Sequence, residues 1–290
     1  MNTSSADDFS CLVCGGKRYV VYLLKCQDLY LGSPFIVDYV TCADCALVQQ
    51  HPLPHDIAAL YEVYPVHEKK SALFELLRGM IFFQVYFRSS TASSGQRLLD
   101  FGCGDGGYLW RAKKRRLDCV GYEPESGQAT AVEKRHGIPV YSDMQKLKAA
   151  VGEGFDYITL HFVFEHLDKP SDTMRQLADM LKPGGVIYMT VPALNSWEAT
   201  FFGRRWSGLD PPRHIAFHNP PHLKRLAGQC GLRLQRYKRI HFANSLAGSL
   251  SNVAAGKFVH PLFYLLMPIS WAAAFIAPGG NYAAWLEKPA

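Results

Sequence analysis

The sequence lacks several features that would assign it to a class at first sight. The segment before Cys11 has neither a basic start nor an apolar run, so it does not resemble a secretory signal and predicts a cytoplasmic protein. No internal repeats occur along the 290 residues. Charge is also scarce: 19% of residues are Asp, Glu, Lys or Arg, and the net charge is +6. So small an excess fits an anionic substrate or a membrane surface but does not indicate nucleic-acid binding.

A disulfide framework is missing as well, because the eight cysteines are unevenly placed. Cys26 and three others are scattered, and the remaining four form two C-x-x-C pairs near the N-terminus: Cys11, Cys14, Cys42 and Cys45. Two such pairs supply the four thiolates of a closed tetrahedral zinc site in a reducing compartment. A closed site has no open position for a substrate, so we predict a structural, zinc-ribbon-like module over residues 1–56, with Cys26 outside the metal site.

The rest of the chain, which is 48% hydrophobic overall, is long enough for a full core. Residues 57–96 are expected to form a helical linker or cofactor lid, with an apolar helix over 71–88. From residue 97 strand-like runs alternate with helical stretches; the runs are RLLDF, CVGYE, PVYS, YITLHF and VIYMTV. This alternation predicts an α/β domain over 97–290, with a Rossmann-like, doubly wound sheet and a ligand crevice at the carboxyl ends of the strands.

An apolar segment interrupts the last part of this domain. Residues 258–277 carry no formal charge and would just reach across a bilayer, but two prolines break the run and it lies between two strands assigned to one sheet. We therefore expect a helical insertion at about 243–278. It would cover the active site, pack in a homodimer or lie on a membrane surface.

A glycine-rich turn follows the first strand of the α/β domain, in LLDFGCGDGGYL. The glycines allow a sharp turn and close approach to a ligand, and the helix that follows favours a carboxylate or phosphate at its N-terminus. The turn also satisfies the dinucleotide pattern G-x-G-x-x-G, which is weak on its own. Asp100 separates the two interpretations, since a carboxylate there suits an ammonium group and would repel a pyrophosphate.

With its surroundings, this turn resembles motif I of the class I S-adenosylmethionine-dependent methyltransferases. FDYITLHFVFEHL and LKPGGVIYMTVP resemble the fourth- and fifth-strand motifs of that family, in the right order. The resemblance implies a seven-stranded sheet, ribose binding by Glu123 and adenine binding by Asp143 beside Met144. The complete set of cofactor-binding residues that it implies is Tyr61, Asp100, Gly102, Cys103, Gly104, Glu123, Pro124, Asp143, Met144 and His161.

The N-terminal module is similar to the zinc domain that precedes some bacterial methyltransferases, including sugar C-methyltransferases. The similarity is carried by CLVCG and CADCALVQQHPLP and extends from the start of the chain to about Pro65. It implies that Tyr61 and Tyr64 lie near the cofactor.

Residues 206–220, WSGLDPPRHIAFHNP, lack the periodicity of a helix or strand. They resemble a segment of bacterial methyltransferases of glycan and lipid-linked pathways that lies over the acceptor pocket. A histidine has a suitable pKa for a general base, and our first choice is His214, followed by His161 and His218. Alternatively, His214 and Arg213 anchor the loop to the sheet. The arginines, Arg204, Arg205 and Arg213, bind an acceptor phosphate or carboxylate, or are solvated.

We therefore expect methyl transfer to a small-molecule, sugar or lipid-linked acceptor, with S-adenosylmethionine and structural Zn²⁺ as cofactors. Two alternatives are a zinc-ribbon binding protein on a degenerate methyltransferase fold and an RNA methyltransferase. The retained Asp100 and Glu123 argue against the first alternative. RNA methylation is disfavoured because the chain lacks the N/D-P-P-Y/F signature after the fourth strand, where it reads HFVF. No nucleic-acid partner is therefore expected. A nicotinamide-dependent oxidoreductase is disfavoured by Asp100.

Overall fold

The computed structural model describes residues 9–54, 92–258, 261–273 and 279–290. A seven-stranded sheet forms its centre, in the order β6-β5-β4-β7-β8-β11-β10. Its strands are β4 (Arg97–Phe101), β5 (Asp118–Tyr122), β6 (Val140–Tyr141), β7 (Phe155–His161), β8 (Leu181–Pro192), β10 (Arg233–Ile240) and β11 (Asn281–Glu287). The expected seven-stranded α/β sheet is confirmed.

The strands from β6 to β8 are parallel, whereas β11 runs antiparallel to both β8 and β10. The helices are α1 (Gly107–Lys114), α2 (Ser126–His136), α3 (Met144–Ala149), α4 (Pro170–Met180), α5 (Trp197–Phe202), α6 (Pro220–Gln229), α7 (Ala243–Ala255) and α8 (Pro261–Ala273). The β-α alternation thus extends through β8, and the last two strands form an antiparallel edge.

Both faces of this sheet are covered. Along β8, Ile187 and Met189 pack in one hydrophobic cluster and Tyr188 between them packs in another. Helix α1 contributes Leu109 to the second cluster, and α4 contributes Leu177 to the first. Continuous apolar runs are typical of strands buried on both faces, which explains why YITLHF and VIYMTV do not alternate. The arrangement is the expected doubly wound one.

The N-terminal module is a second, four-stranded antiparallel sheet in the order β1-β2-β3-β9. Its strands are β1 (Tyr19–Gln27), β2 (Ile36–Cys42), β3 (Val48–Gln50) and β9 (Ala216–Phe217). Strand β9 belongs to the segment 206–220, which lacks the periodicity of a strand in the sequence. Its two residues pair with Val48 and Gln49, so the segment is part of the module sheet.

The described residues of the apolar insertion between β10 and β11 include the helices α7 and α8. Helix α8 includes Pro268 and exposes Tyr264, Leu265 and Ile269. Among the described residues, no helix combines the length and the apolar character needed to cross a membrane.

Some predictions fall outside the described residues. These predictions concern the apolar helix over 71–88, nearly all of the linker 57–96, Tyr61 and Tyr64.

Candidate active site

The glycine-rich turn connects β4 to α1 at the carboxyl edge of the parallel strands. Gly102, Gly104 and Gly106 adopt φ values of 77°, 55° and 74°, in the region that favours glycine. A Cβ on Gly102 would lie 2.6 Å from Cγ2 of Val163, whereas a Cβ on Gly104 would have no atom within 4 Å. The turn is therefore closed against the segment after β7 at Gly102 and open to a ligand at Gly104.

Asp100 is buried at the end of β4, where its Oδ1 accepts a hydrogen bond of 2.8 Å from the Thr159 hydroxyl. Burial raises the pKa of this carboxyl to about 7; the Thr159 hydrogen bond opposes that rise, and the charges of Glu123 and Asp105 add to it. A cation beside Asp100 would offset the burial of its charge. The residue is suited to the ammonium group of an amino-acid ligand.

Glu123 follows β5 and faces the same turn. Its Oε2 accepts a hydrogen bond of 2.9 Å from the Gly104 amide, and its Oε1 accepts one of 3.3 Å from the Glu125 amide. The carboxylate thus lies beside the open glycine. Cys103 in the turn is buried, which raises the pKa of its thiol far above the ordinary value and argues for a packing role.

Asp143 is the N-cap of α3, where its Oδ1 accepts a hydrogen bond of 2.8 Å from the Lys146 amide. This geometry gives Asp143 a structural role in addition to the adenine contact implied by the sequence. Met144 begins the helix and packs against the hydrophobic core while remaining partly accessible.

His161 is the last residue of β7. Its ring centroid lies 4.4 Å from that of Tyr108 and 5.6 Å from that of Tyr188. Burial lowers the pKa of His161 to about 3, so the imidazole is neutral in the physiological range.

The loop after α5 is attached to the N-terminal module by a buried ion network. Arg213 is 1% exposed and donates two hydrogen bonds of 2.8–2.9 Å to Asp28, directly after β1, and two more to Asp210. Burial alone would lower the pKa of the guanidinium, but the two carboxylates hold it above its ordinary value. The alternative in which Arg213 anchors the loop is supported, although its partner is the module and not the central sheet.

Backbone carbonyls of the same loop accept hydrogen bonds from the module. The Tyr39 hydroxyl donates to the His214 carbonyl at 2.9 Å, and the Gln50 amide group donates to the Pro212 carbonyl at 2.7 Å. Arg204 and Arg205 also donate to backbone carbonyls, those of Leu24 and Asn252 respectively.

His214 lies at the centre of a polar cluster. Its Nδ1–H donates to the Gly208 carbonyl at 2.8 Å, so Nε2 carries the lone pair. Nε2 lies 3.8 Å from a carboxylate oxygen of Glu165 and 3.8 Å from one of Asp210. Burial lowers the pKa of His214, and the Asp210 charge partly offsets that shift.

The other candidate base in this loop has a different environment. His218 is fully buried and packs edge-on against Phe164 at 4.7 Å, and burial lowers its pKa to about 3. Unlike the environment described for His218, that of His214 includes two carboxyl groups close to its Nε2 atom.

Sequence reasoning did not assign a role to Glu165, Asp28, Tyr39 or Gln50. Glu165 is fully buried, which raises its pKa to about 8. An acid directly after the apolar run VF was a signal that could have singled it out. The three module residues gave no such signal, because their partners lie in a distant part of the chain.

The four paired cysteines converge in the module. Their Sγ atoms lie within 4.8 Å of one another, with 3.4 Å between those of Cys11 and Cys45 and 3.5 Å between those of Cys14 and Cys42. Four thiolates about 2.3 Å from one ion give separations of this size, so the donor set fits Zn²⁺. Cys26 lies outside this cluster.

Comparisons with known proteins agree with this geometry. A family model described as a methyltransferase domain matches residues 76–237, more than half of the chain. A mycolic acid cyclopropane synthase, crystallised in complex with SAH and CTAB, has a TM-score of 0.50 at 17% identity, covering 75% of this chain and 85% of its own. At that identity the likeness shows the fold alone.

Three curated relatives match parts of the chain. The ubiquinone biosynthesis O-methyltransferase of Aeromonas salmonicida is 24% identical over 51% of this chain, and the mitochondrial enzyme of that name from Schizosaccharomyces pombe is 31% identical over 38%. The tRNA U34 carboxymethyltransferase of Azotobacter vinelandii is 34% identical over 33%. The matches span 68%, 42% and 32% of the respective relatives.

The family match covers β4 to β8 together with the glycine-rich turn and both acids that flank the open glycine. The chain belongs to the methyltransferase-domain family and is a class I S-adenosylmethionine-dependent methyltransferase.

Proposed function

We propose that this methyltransferase acts on a small-molecule acceptor, of which a sugar or a lipid-linked precursor is the class implied by the loop and module resemblances. One observation carries the proposal: the segment after β7 touches both the cofactor turn and the loop that contains His214. Val163 closes the turn at Gly102, and two residues later the Glu165 carbonyl accepts a hydrogen bond of 2.7 Å from the Ile215 amide. Polar groups of the loop are therefore held next to the carboxyl edge of the parallel strands at Asp100 and Glu123, which we call the cofactor edge.

In this proposal the chain's own residues supply the chemistry that the cofactor requires. Asp100 offers a carboxylate to the ammonium group, Glu123 offers one to the ribose, and Asp143 and Met144 flank the adenine. Bound S-adenosylmethionine supplies an electrophilic methyl group on a sulfonium. Pro124 and His161 line the same edge in this proposal, and Tyr61 would approach from the linker.

The acceptor side has to position the nucleophile and, where it carries a proton, to remove that proton. His214 is the proposed base, because its Nδ1–H is fixed on the Gly208 carbonyl and its Nε2 is free to receive the proton. The Asp210 carboxylate, 3.8 Å away, would stabilise the resulting imidazolium, and Glu165 at the same distance would add to this when it is ionised. His161 and His218 remain second choices, since burial lowers the pKa of each to about 3.

The names of the relatives widen the range of acceptors worth testing. Two carry ubiquinone biosynthesis and O-methylation in their names, so phenolic quinone precursors belong in a screen beside nucleotide sugars and lipid-linked glycans. Contact of the apolar insertion with a membrane or with a second copy is part of this proposal, supported by the exposed side chains of α8. The module is proposed to hold structural Zn²⁺, as its four-thiolate donor set favours.

Calorimetric titration with S-adenosylhomocysteine tests the cofactor part of the proposal. We expect micromolar binding by the wild-type protein and binding roughly tenfold weaker, or weaker still, by Glu123→Gln. Asp118→Asn is the matched control: it removes an exposed acid from the opposite end of the same strand, and its affinity should equal that of wild type. Equal binding by Glu123→Gln and Asp118→Asn would mean that the ribose site is misassigned.

Acceptor screening then uses the wild-type protein and radiolabelled S-adenosylmethionine. Methyl transfer to a sugar, lipid-linked or phenolic compound that His214→Gln reduces by roughly 100-fold or more, with unchanged S-adenosylhomocysteine binding, would support the proposed base. Full activity of His214→Gln would refute it.

A further inference from the structure

A second group of metal-ligand side chains lies outside the cysteine cluster. It consists of Glu165, His166 and His214, whose potential ligand atoms lie within 4.8 Å of one another. Glu165 and His166 come from the 3₁₀ turn Phe164–His166 after β7, and His214 comes from the loop that precedes β9. The group therefore joins two segments that are far apart in sequence.

Both imidazoles are held in the same way. The Nδ1–H of His166 donates to the Arg213 carbonyl at 2.8 Å, and the Nδ1–H of His214 donates to the Gly208 carbonyl at 2.8 Å. Each bond leaves the lone pair on Nε2, and the two ring centroids are 4.7 Å apart. Metal-binding histidines are usually fixed by such a bond from the other ring nitrogen to a carbonyl or carboxylate.

The buried carboxyl group of Glu165 lacks the hydrogen-bond partners that would stabilise its ionised form. The residue is fully buried, and neither of its oxygens accepts a hydrogen bond from the side chain or backbone of any other described residue. Nε2 of His214 lies 3.8 Å from Oε1 of Glu165. Arg213, a cation of this loop, directs its guanidinium to Asp28 and Asp210 instead.

The separation of 3.8 Å between Nε2 of His214 and Oε1 of Glu165 is too long for a hydrogen bond. It is the right size for two ligands of one ion, because metal–nitrogen and metal–oxygen bonds of about 2.0–2.2 Å place neighbouring ligand atoms roughly 3–4 Å apart. An ion among these groups would stabilise the ionised form of Glu165, with an Nε2 atom of each histidine within reach as a further ligand.

We propose that Glu165, His166 and His214 bind a divalent first-row transition-metal ion through one carboxylate oxygen and the two Nε2 atoms. Two imidazoles and a carboxylate suit Zn²⁺, Fe²⁺, Co²⁺ or Mn²⁺, and three protein ligands leave coordination positions open. This inference goes beyond the proposed function and does not depend on it. It replaces one element of that proposal, because Nε2 of His214 cannot bind the ion and act as the base at once, and cobalt binding that Glu165→Gln weakens would indicate the ligand role.

The test uses the full-length wild-type protein with its cysteine site loaded with zinc. Co²⁺ is added and followed by visible absorption and by calorimetry. Cobalt held by nitrogen and oxygen gives weak ligand-field bands, whereas cobalt in the cysteine site gives intense thiolate charge-transfer absorption. We expect one cobalt per chain with ligand-field bands alone and with the zinc content unchanged. Wild-type protein that binds no cobalt, or binds it only with thiolate absorption, would overturn the proposal.

Variants then locate the ion. Glu165→Gln and His214→Gln should each weaken cobalt binding by a factor on the order of 100, with S-adenosylhomocysteine affinity and module zinc retained as measures of folding. His241→Gln is the matched control, because His241 lies 4.0 Å from the buried Glu198 in a pair that has no second histidine, and cobalt binding should be unchanged. Folded Glu165→Gln and His214→Gln proteins with wild-type cobalt affinity would show that the ion binds elsewhere.

Discussion

Polar side chains are positioned differently at the cofactor edge, around Asp100 and Glu123, and in the loop of residues 206–220 that contains His214. At the cofactor edge, Asp100 and Glu123 lie at or directly after the ends of the strands that position them, and a short glycine turn lies between them. In the loop, Arg213 and the carbonyl of His214 are held by Asp28 and Tyr39, from the far end of the chain. The first site depends on local sequence, and the second depends on the N-terminal module.

This difference gives the module a function: it supports the loop that contains His214. Strand β9 pairs with β3, the Gln50 amide donates to the Ile215 carbonyl at 2.8 Å, and His222 donates to the carbonyl of Cys45 at 2.8 Å. The cysteine cluster thus lies beside the same contacts. Damage to the module should disturb the loop and leave the cofactor edge intact.

The largest effect is expected from Cys42→Ser. Structural zinc contributes on the order of 10 kcal/mol to the folding of small zinc modules, and loss of one thiolate should remove most of the metal. We expect loss of zinc by elemental analysis and faster hydrogen exchange over residues 209–217. Calorimetry should show unchanged S-adenosylhomocysteine affinity. Cys26→Ser is the control, because Cys26 lies outside the cluster. Unchanged exchange in zinc-free protein would separate the module from the loop.

The next effect comes from the buried ion network. Asp28→Asn leaves Arg213 with one carboxylate inside the protein, and breaking a buried pair in this way costs about 3–5 kcal/mol. Urea unfolding should show this loss. The exposed pair of Arg233 with Glu287 provides the comparison, and Arg233→Met should cost less than about 1 kcal/mol. Equal costs for the two variants would contradict the assigned role of the network.

The same contrast explains how much the sequence could predict. Apolar runs and the glycine turn are local signals, and they were sufficient for the central sheet, whereas the binding roles of Asp100 and Glu123 stay predictions. The pairing of β9 with β3 joins residues 48–49 to 216–217, and two residues carry no periodicity that could reveal a strand. Likewise, nothing near Asp28 shows that its partner is Arg213. The direction of β11 was not predicted, because an apolar run does not show in which direction a strand runs.

A smaller effect should come from pH at the cofactor edge. Burial raises the pKa of Asp100 to about 7, so the carboxylate that attracts an ammonium group is present above that pH and is lost as the pH falls. S-adenosylhomocysteine should bind roughly tenfold more weakly at pH 5.5 than at pH 7.5. Asp100→Asn should bind weakly at both values. A wild-type affinity that stays constant over this range would exclude contact between Asp100 and the charged group.

The smallest effect is expected at Asp143, where a structural and a binding role overlap. Asp143→Ala removes the N-cap of α3, which should cost about 1 kcal/mol of stability in urea unfolding. Ser196→Ala removes the equivalent cap of α5, where the hydroxyl accepts from the Ala199 amide at 3.1 Å, and should cost a similar amount. If Asp143 also contacts the adenine, calorimetry will show severalfold weaker S-adenosylhomocysteine binding in Asp143→Ala alone. Equal affinities in the two variants would leave Asp143 with the cap as its only role, and the cofactor edge would then hold its ligand through Asp100 and Glu123.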